Sequence, residues 1–214
     1  YNDEDTMCDF LGDTLDHEHK YNISKPKQTI KKSPLPFTTS SLQQKASNEM
    51  RFSPKQTMKL AQTLYENGLI TYMRTDSVIY SKEFLKKAQK FITDKYGEKY
   101  YHFQEKKSKK MQNAQEAHEA IRPTNIENVE LPINIDEKAV RLYNLIRRNT
   151  LESCMADAKL SVIEAKISAP EKHFYKYRTE LVVFPGWLIV AGYDKTNPIY
   201  DYLLTIENDT ILDY

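Results

Sequence analysis

The sequence predicts an α+β chain, and three observations carry that reading. Through the middle of the chain apolar residues recur at three- and four-residue intervals, between residues that start and stop helices. From Ala158 onward the apolar period drops to two, the signature of strands. Before the helical stretch, Pro26, Pro34 and Pro36 stand among lysines, so residues 25–37 read as an extended connector and a boundary.

Taken in order, Met7, Phe10, Leu11 and Leu15 have helical spacing and predict a short first helix. Cys8, His17 and His19 match no standard metal spacing, and Asp16-His17-Glu18-His19 is not HExxH. Thr38-Thr39-Ser40-Ser41 offers caps for a helix from about Leu42. Ser53-Pro54-Lys55-Gln56 is a full helix start, with a capping serine, proline at the first helical position and glutamine at the reciprocal position. Met58, Ala61, Leu64 and Tyr65 give that helix its apolar face, and Asn67-Gly68 ends it. Ser81 caps a further helix whose buried face is Phe84, Leu85, Ala88, Phe91, Ile92 and Tyr96, closed by Gly97.

Residues 104–113 are polar, basic and non-periodic, which predicts an exposed loop. A helix of about 18 residues is expected from Asp136, with Val140, Tyr143, Leu145, Ile146 and Leu151 on its core face. Leu160 and Val162, then Ile163, Ala165 and Ile167, alternate with a one-residue slip that suggests a bulge. His173 to Leu181, Trp187 to Ala191 and Ile199 to Ile206 complete roughly four expected strands around a Pro185-Gly186 turn.

Composition narrows the function classes. The chain has 214 residues, 29% charged and 40% apolar, the balance of a soluble globular protein able to bury a core. No run approaches the ~18 apolar residues of a membrane span. The acidic opening has neither the basic leader nor the apolar stretch of a signal peptide, and the start at Tyr1 reads as that of a fragment. Cys8 and Cys154 form no CxxC pair, which points to a reducing compartment and away from a disulfide framework or zinc site. The five glycines are scattered, which excludes a phosphate-cradling loop or dinucleotide fingerprint. The net charge of +1 hides an asymmetry: residues 1–20 are strongly acidic, whereas 21–60 hold seven lysines and Arg51 against Glu49 alone. Such a basic excess suits either a polyanion partner or a solvated lysine-rich face.

The chemistry converges on Ile70-Thr71-Tyr72-Met73-Arg74-Thr75-Asp76-Ser77. In an extended segment, positions two apart project to one face, so Tyr72 and Arg74 can share a small volume. A free phenol has a pKa near ~10 and is a poor nucleophile at neutral pH. A guanidinium beside it favours the phenolate and also grips phosphate oxygens bidentately. That combination suits covalent attack on a phosphodiester. His118 and Arg122, four apart, become neighbours if their segment is helical and can add a phosphate-binding group. The competing reading makes His118 a hydrogen-bonded structural histidine and Arg122 a partner of Glu119 or Glu116.

Residues 70–77 resemble the active-site tyrosine motif of type IA DNA topoisomerases. Gln115-Glu116-Ala117-His118-Glu119-Ala120-Ile121-Arg122-Pro123 resembles their second signature, Pro36 to Gln44 the opening of the same domain, and Ala61 to Gly68 the helix leading into it. The resemblance covers roughly residues 20–190. It implies a single-strand transesterification: Tyr72 attacks one DNA strand, leaves a 5′-phosphotyrosine and a free 3′-hydroxyl, and the hydroxyl reseals the break without ATP. By motif position Tyr72 is the nucleophile, Arg74 positions the scissile phosphate, and His118 joins the phosphate contacts. Gln62, Glu66, Thr71, Thr75, Asp76 and Arg122 take supporting, DNA-binding roles.

In the family, Mg2+ is held by acids of a separate TOPRIM domain. Asp3-Glu4-Asp5 lacks the strand context and third acid of that site, so no metal is expected on this chain itself. The implied architecture is a mostly helical CAP-like catalytic-tyrosine domain (34–155) inserted into a β-rich arch domain (1–33 and 156–214). The implied partners are single-stranded DNA and the TOPRIM-containing remainder of the enzyme, inside the cell and on DNA, with no membrane. Without that remainder, little or no activity is expected. From another class, the basic loop and the tyrosines fit a non-catalytic single-stranded nucleic-acid-binding module, and a helical protein-interaction domain is a third possibility.

Overall fold

A computed structural model describes residues 3–103, 118–132 and 135–213. Residues 104–113, expected as a loop, and Gln115 to Ala117 of the second motif lie outside them. In chain order the elements are α1 (Glu4–Asp16), β1 (His19–Ile23), β2 (Lys27–Lys31), α2 (Thr39–Met50), α3 (Pro54–Glu66), α4 (Lys82–Tyr96), α5 (Glu137–Ser153), β3 (Ala158–Ser168), β4 (Phe174–Phe184), α6 (Pro198–Thr205) and β5 (Ile211–Leu212). The chain forms two compact units: one of Lys32–Ala158 with Pro185–Gly192, the other of Tyr1–Lys31, Lys159–Phe184 and Tyr193–Tyr214.

The first unit is helical, and its helices begin where short polar side chains can satisfy orphan N–H groups. Thr38 caps α2 and exchanges bonds with Ser41 in a capping box, so the helix starts at Thr39, three residues before the expected Leu42. The Ser53 hydroxyl accepts from the Gln56 N–H at 3.2 Å, Ser81 accepts from Phe84 at 3.4 Å, and the Asp136 carboxylate accepts from Lys138 at 2.8 Å. The core lies where α2, α3 and α5 meet. Leu42, Ala46, Ala61, Leu64, Leu142 and Ile146 are fully buried there, each large side chain stabilising by roughly 2 kcal/mol. Tyr65, expected on that apolar face, is instead 41% exposed.

The expected strand at Trp187 to Ala191 is a 3-10 turn, Gly186–Val190, packed on α5. Gly186 has φ +49, and a Cβ there would overlap the carbonyl oxygens of Ala156 and Asp157. Only glycine permits that approach, and it lets the Trp187 N–H donate to the Ala156 carbonyl at 2.9 Å.

The second unit is an antiparallel sheet built on β3. β4 runs along β3 from Lys159↔Phe184 to Ser168↔Phe174, β1 pairs it at Tyr21↔Ile167, and β2 pairs it as well. β5 pairs with β1 at His19↔Leu212. The ladder shifts register between Lys159 and Leu160, not at the expected slip. Val162 and Ile163 are both buried because both faces of β3 are covered at that point. Ile199 to Ile206, expected as a strand, is α6. Asn197 caps it by accepting from the Tyr200 N–H at 3.1 Å, and Pro198 takes the first helical position, a start signal that outweighs the β-branched residues after it. His19 is buried, with Nδ1 2.8 Å from the Ser168 carbonyl and Nε2 3.0 Å from that of Thr14. It is a structural pin between α1 and the sheet.

Candidate active site

The tyrosine segment leaves α3 through Gly68, whose φ of +69 turns the chain at low cost. The segment then lies extended and its burial alternates. Tyr72, Arg74 and Asp76 are exposed, whereas Met73 (1%) and Thr75 (8%) are buried. Ile70 and Met73 belong to the core, so the backbone is anchored on both sides of Tyr72. Tyr72 and Arg74 therefore emerge on one face, as the spacing requires.

Hydrogen bonds hold that backbone from two directions. The first turn of α2 grips it from one side: the Thr39 hydroxyl donates to the Met73 carbonyl at 2.7 Å and accepts from the Thr75 N–H at 2.9 Å, and the Thr39 N–H donates to the Thr75 carbonyl at 2.8 Å. The second motif grips the other side. The Thr71 N–H donates to the Arg122 carbonyl at 2.9 Å, the Thr71 hydroxyl donates to the Ala120 carbonyl at 2.8 Å, and Thr124 N–H donates to the Leu69 carbonyl at 3.0 Å.

The second motif is not helical. Residues 118–120 have no regular structure, and Ile121 and Pro123 form isolated antiparallel bridges with Phe37 and Ile70. His118 and Arg122 are therefore not helical neighbours, and the four-residue argument fails because Phe37 and Ile70 supply the backbone partners that a helix would have supplied internally. His118 is exposed.

Arg122 is engaged within the fold. Its Nη2 donates to Glu119 Oε2, its Nη1 donates to the Pro123 carbonyl at 3.0 Å, and its guanidinium carbon sits 4.2 Å from the centre of the Phe84 ring. Only 12% of its side chain is exposed. Glu119 also accepts from the Ser81 N–H, so the pair ties the second motif to the start of α4. Burial raises the Glu119 pKa, but bonding to Ser81 and the charge of Arg122 outweigh it and hold the carboxyl below its ordinary value. Thr71 and Thr75 likewise spend their polar groups on the fold, the Thr75 hydroxyl accepting from the Ser77 N–H at 3.0 Å.

Gln62 and Glu66 bond to one another at 2.7 Å on α3, one turn apart. Sequence reasoning passed over Tyr65 between them. Its ring meets that of Tyr72 edge to face, with centroids 5.3 Å apart, the arrangement aromatic pairs prefer. The sequence carries a signal for it, since Tyr65 and Tyr72 flank the Gly68 turn, but helical spacing alone puts Tyr65 on the apolar face. Tyr80 makes the contrast: 2% exposed and bonded to the Ser153 hydroxyl at 3.0 Å, its phenol is pushed far up by burial and is unfit for attack.

A tyrosine held by its backbone, with an exposed arginine on the same face, fits the expected class. The chain belongs to the type IA DNA topoisomerase family: the family model described as DNA topoisomerase matches residues 3–213. It is 38% identical over 213 residues to a prokaryotic-type DNA topoisomerase 1 of Acanthamoeba polyphaga mimivirus, covering 95% of this chain and 25% of that protein. It is 41% identical over 207 residues to DNA topoisomerase 1 of Helicobacter pylori (strain ATCC 700392 / 26695), covering 91% and 28%. Full-length topoisomerase I from Thermotoga maritima superposes with a TM-score of 0.67 at 27% identity, covering 91% of this chain and 32% of that one. The chain thus spans about a quarter to a third of the length of these relatives.

Proposed function

We propose that this chain supplies the nucleophile half of a type IA topoisomerase active site and acts on single-stranded DNA. The observation that carries the reading is the alternation at 72–75, which presents a tyrosine and an arginine together while their backbone is bonded to α2 and to the second motif. In the proposed step the Tyr72 Oη attacks the scissile phosphorus. A phosphotyrosyl P–O bond forms as the P–O3′ bond breaks, the phenolic proton is lost, and the 3′-oxygen takes one up. One phosphodiester is exchanged for another, so the reverse step reseals the strand without a nucleotide cofactor.

Arg74 clamps the phosphate, and exposed His118 and Asp76 face the strand. Gln62 and Glu66 flank Tyr65, which orients the Tyr72 ring. Thr71, Thr75 and Arg122 act through the backbone they hold. Of the described acids in the two motifs and on α3, Glu119 is engaged by Arg122 and Ser81 and Glu66 by Gln62, which leaves Asp76 as a single exposed carboxylate, and no cluster of three metal-ligating side chains occurs among the described residues. Magnesium, which the family implies, would be held by the TOPRIM-containing remainder, and no step above runs through it. We assign the helical unit to an insertion within the arch domain. No described helix is long and apolar enough to cross a membrane, and the proposed place of action is on DNA inside the cell.

The test mixes the chain with single-stranded DNA, Mg2+ and the metal-binding half of a type IA enzyme in trans. A denaturation-resistant protein–DNA adduct is expected, abolished by Tyr72→Phe with DNA affinity retained. An adduct that survives that change contradicts the assignment. DNA binding with no adduct in any combination favours the second reading, a non-catalytic single-strand-binding module, which draws on the exposed Tyr175 and Tyr177 as stacking surfaces.

A further inference from the structure

A groove of about 360 Å³ lies in the helical unit, outside the site described above. One face of α2 (Ser41, Gln44, Lys45, Asn48) forms a wall, α5 contributes Asn149 and Glu152, and Phe37 and Trp187 add aromatic surface. We propose that this groove is a subsite for one unpaired, amino-bearing nucleobase (adenine, cytosine or guanine) of the strand that Tyr72 attacks; the last clause rests on the function proposed above.

Asn149 is 4% exposed, and its carboxamide oxygen has no hydrogen-bond partner among the described residues. A buried polar atom left so costs on the order of 1–3 kcal/mol, and native structures keep few of them without a reason. Glu152 stands three residues on, hence on the same helical face, with 9% of its side chain exposed and Arg148 Nε 3.8 Å away. Burial raises its carboxyl to about 7, against the pull of Arg148 and Lys45. A carboxamide beside such a carboxyl forms a short donor–acceptor edge. That edge suits the amino group and adjacent ring nitrogen of adenine, as asparagine does elsewhere, or the amino group of cytosine, as glutamate does. Thymine offers no amino group. Trp187 supplies an aromatic surface of the kind on which unpaired bases stack.

The groove is tied to the tyrosine segment through the stretch 37–41. Thr38 caps α2 and Thr39 grips Met73 and Thr75, whereas Phe37 before them and Ser41 after them line the groove. A strand held at Arg74 thus has a base-sized recess on the helix that holds the backbone on either side of Arg74, at Met73 and Thr75.

Trp187 is the chain's one tryptophan, so its fluorescence reports the groove directly. The full chain is titrated with oligo-dA, oligo-dC and oligo-dT of about ten nucleotides, a length within known single-strand site sizes. Oligo-dA and oligo-dC are expected to quench Trp187 and bind about tenfold more tightly than oligo-dT. Asn149→Leu, which keeps the volume and removes the hydrogen bonds, is expected to erase that preference, and Glu152→Gln to weaken it. Equal affinity for the three oligomers, or a preference unchanged in Asn149→Leu, overturns the proposal. A Trp187 response to the metal-binding half of the enzyme but to no oligomer also overturns it, in favour of a protein contact. Because Tyr72→Phe leaves the groove intact, adduct formation without base preference sinks this inference alone, whereas a base preference without adducts sinks only the nucleophile assignment.

Discussion

Two segments that pair with one another, 69–77 and 118–124, use their charged residues in opposite ways. In the first, Tyr72, Arg74 and Asp76 point outward, and Arg74 has no ion-pair partner among the described residues. In the second, Arg122 and Glu119 are paired, stacked and bonded to backbone. Each is a conspicuous arginine in a family motif, yet one is left available for a ligand and the other is consumed by the fold. Motif membership therefore does not distinguish chemistry from scaffolding. Burial and partner count do.

The comparison can be broken by substitution. Arg74→Ala is expected to slow adduct formation about 100-fold, the scale of losing a charged donor at a reacting centre, with unfolding in urea unchanged. It should also flatten the slope of log affinity for single-stranded DNA against log salt by about 0.7, the loss of one phosphate contact. Arg122→Ala is expected to do the reverse. It should cost roughly 3 kcal/mol of stability, because it strands the half-buried Glu119, and leave the salt slope unchanged. A changed slope in Arg122→Ala and an unchanged one in Arg74→Ala would invert the account. Tyr65→Ala is expected to slow adduct formation about three- to tenfold, the worth of one aromatic pair, and Tyr65→Phe to restore it, since an edge-to-face contact needs the ring and not the hydroxyl.

A separate effect concerns pH. Burial, helped by the charge of Glu49, raises the Glu152 carboxyl to about 7 in the fold from its ordinary 4.5, against the lowering pull of Arg148 and Lys45. The folded state therefore holds this proton more tightly than the unfolded chain does. Stability should decline as pH rises from about 4.5 to about 7, and Glu152→Gln should remove that part of the decline in urea unfolding measured across the range.

The helical unit was legible in its sequence because each start carries a local chemical reason, as at Ser53-Pro54 and Asp136. The α5 helix, expected at about 18 residues from Asp136, spans Glu137–Ser153. The sheet unit was less so. β1, β2 and β5 are short strands whose pairing partners are distant in sequence, and α6 was misread because Ile199, Tyr200 and Tyr202 suit a strand while Asn197-Pro198 starts a helix. At the candidate site, the i, i+2 geometry of Tyr72 and Arg74 could be read from two residues. The extended form of 118–124 could not, since it depends on Phe37 and Ile70, 84 and 53 positions from their partners Ile121 and Pro123. Tyr65 was hidden for a related reason: helical spacing says which face a ring occupies, not whether another element covers it.

The central claim is that the exposed phenol of Tyr72, and no other among the chain's 15 tyrosines, forms the bond to DNA. Peptide mapping of the denatured adduct, formed with the metal-binding half in trans, tests it most directly. The DNA should be found on the peptide containing Tyr72-Met73-Arg74, through its 5′-phosphate. With Tyr65 and Tyr72 separated by cleavage after Glu66, DNA on the peptide carrying Tyr65 or on that carrying Tyr80, or linked through a 3′-phosphate, would contradict the account.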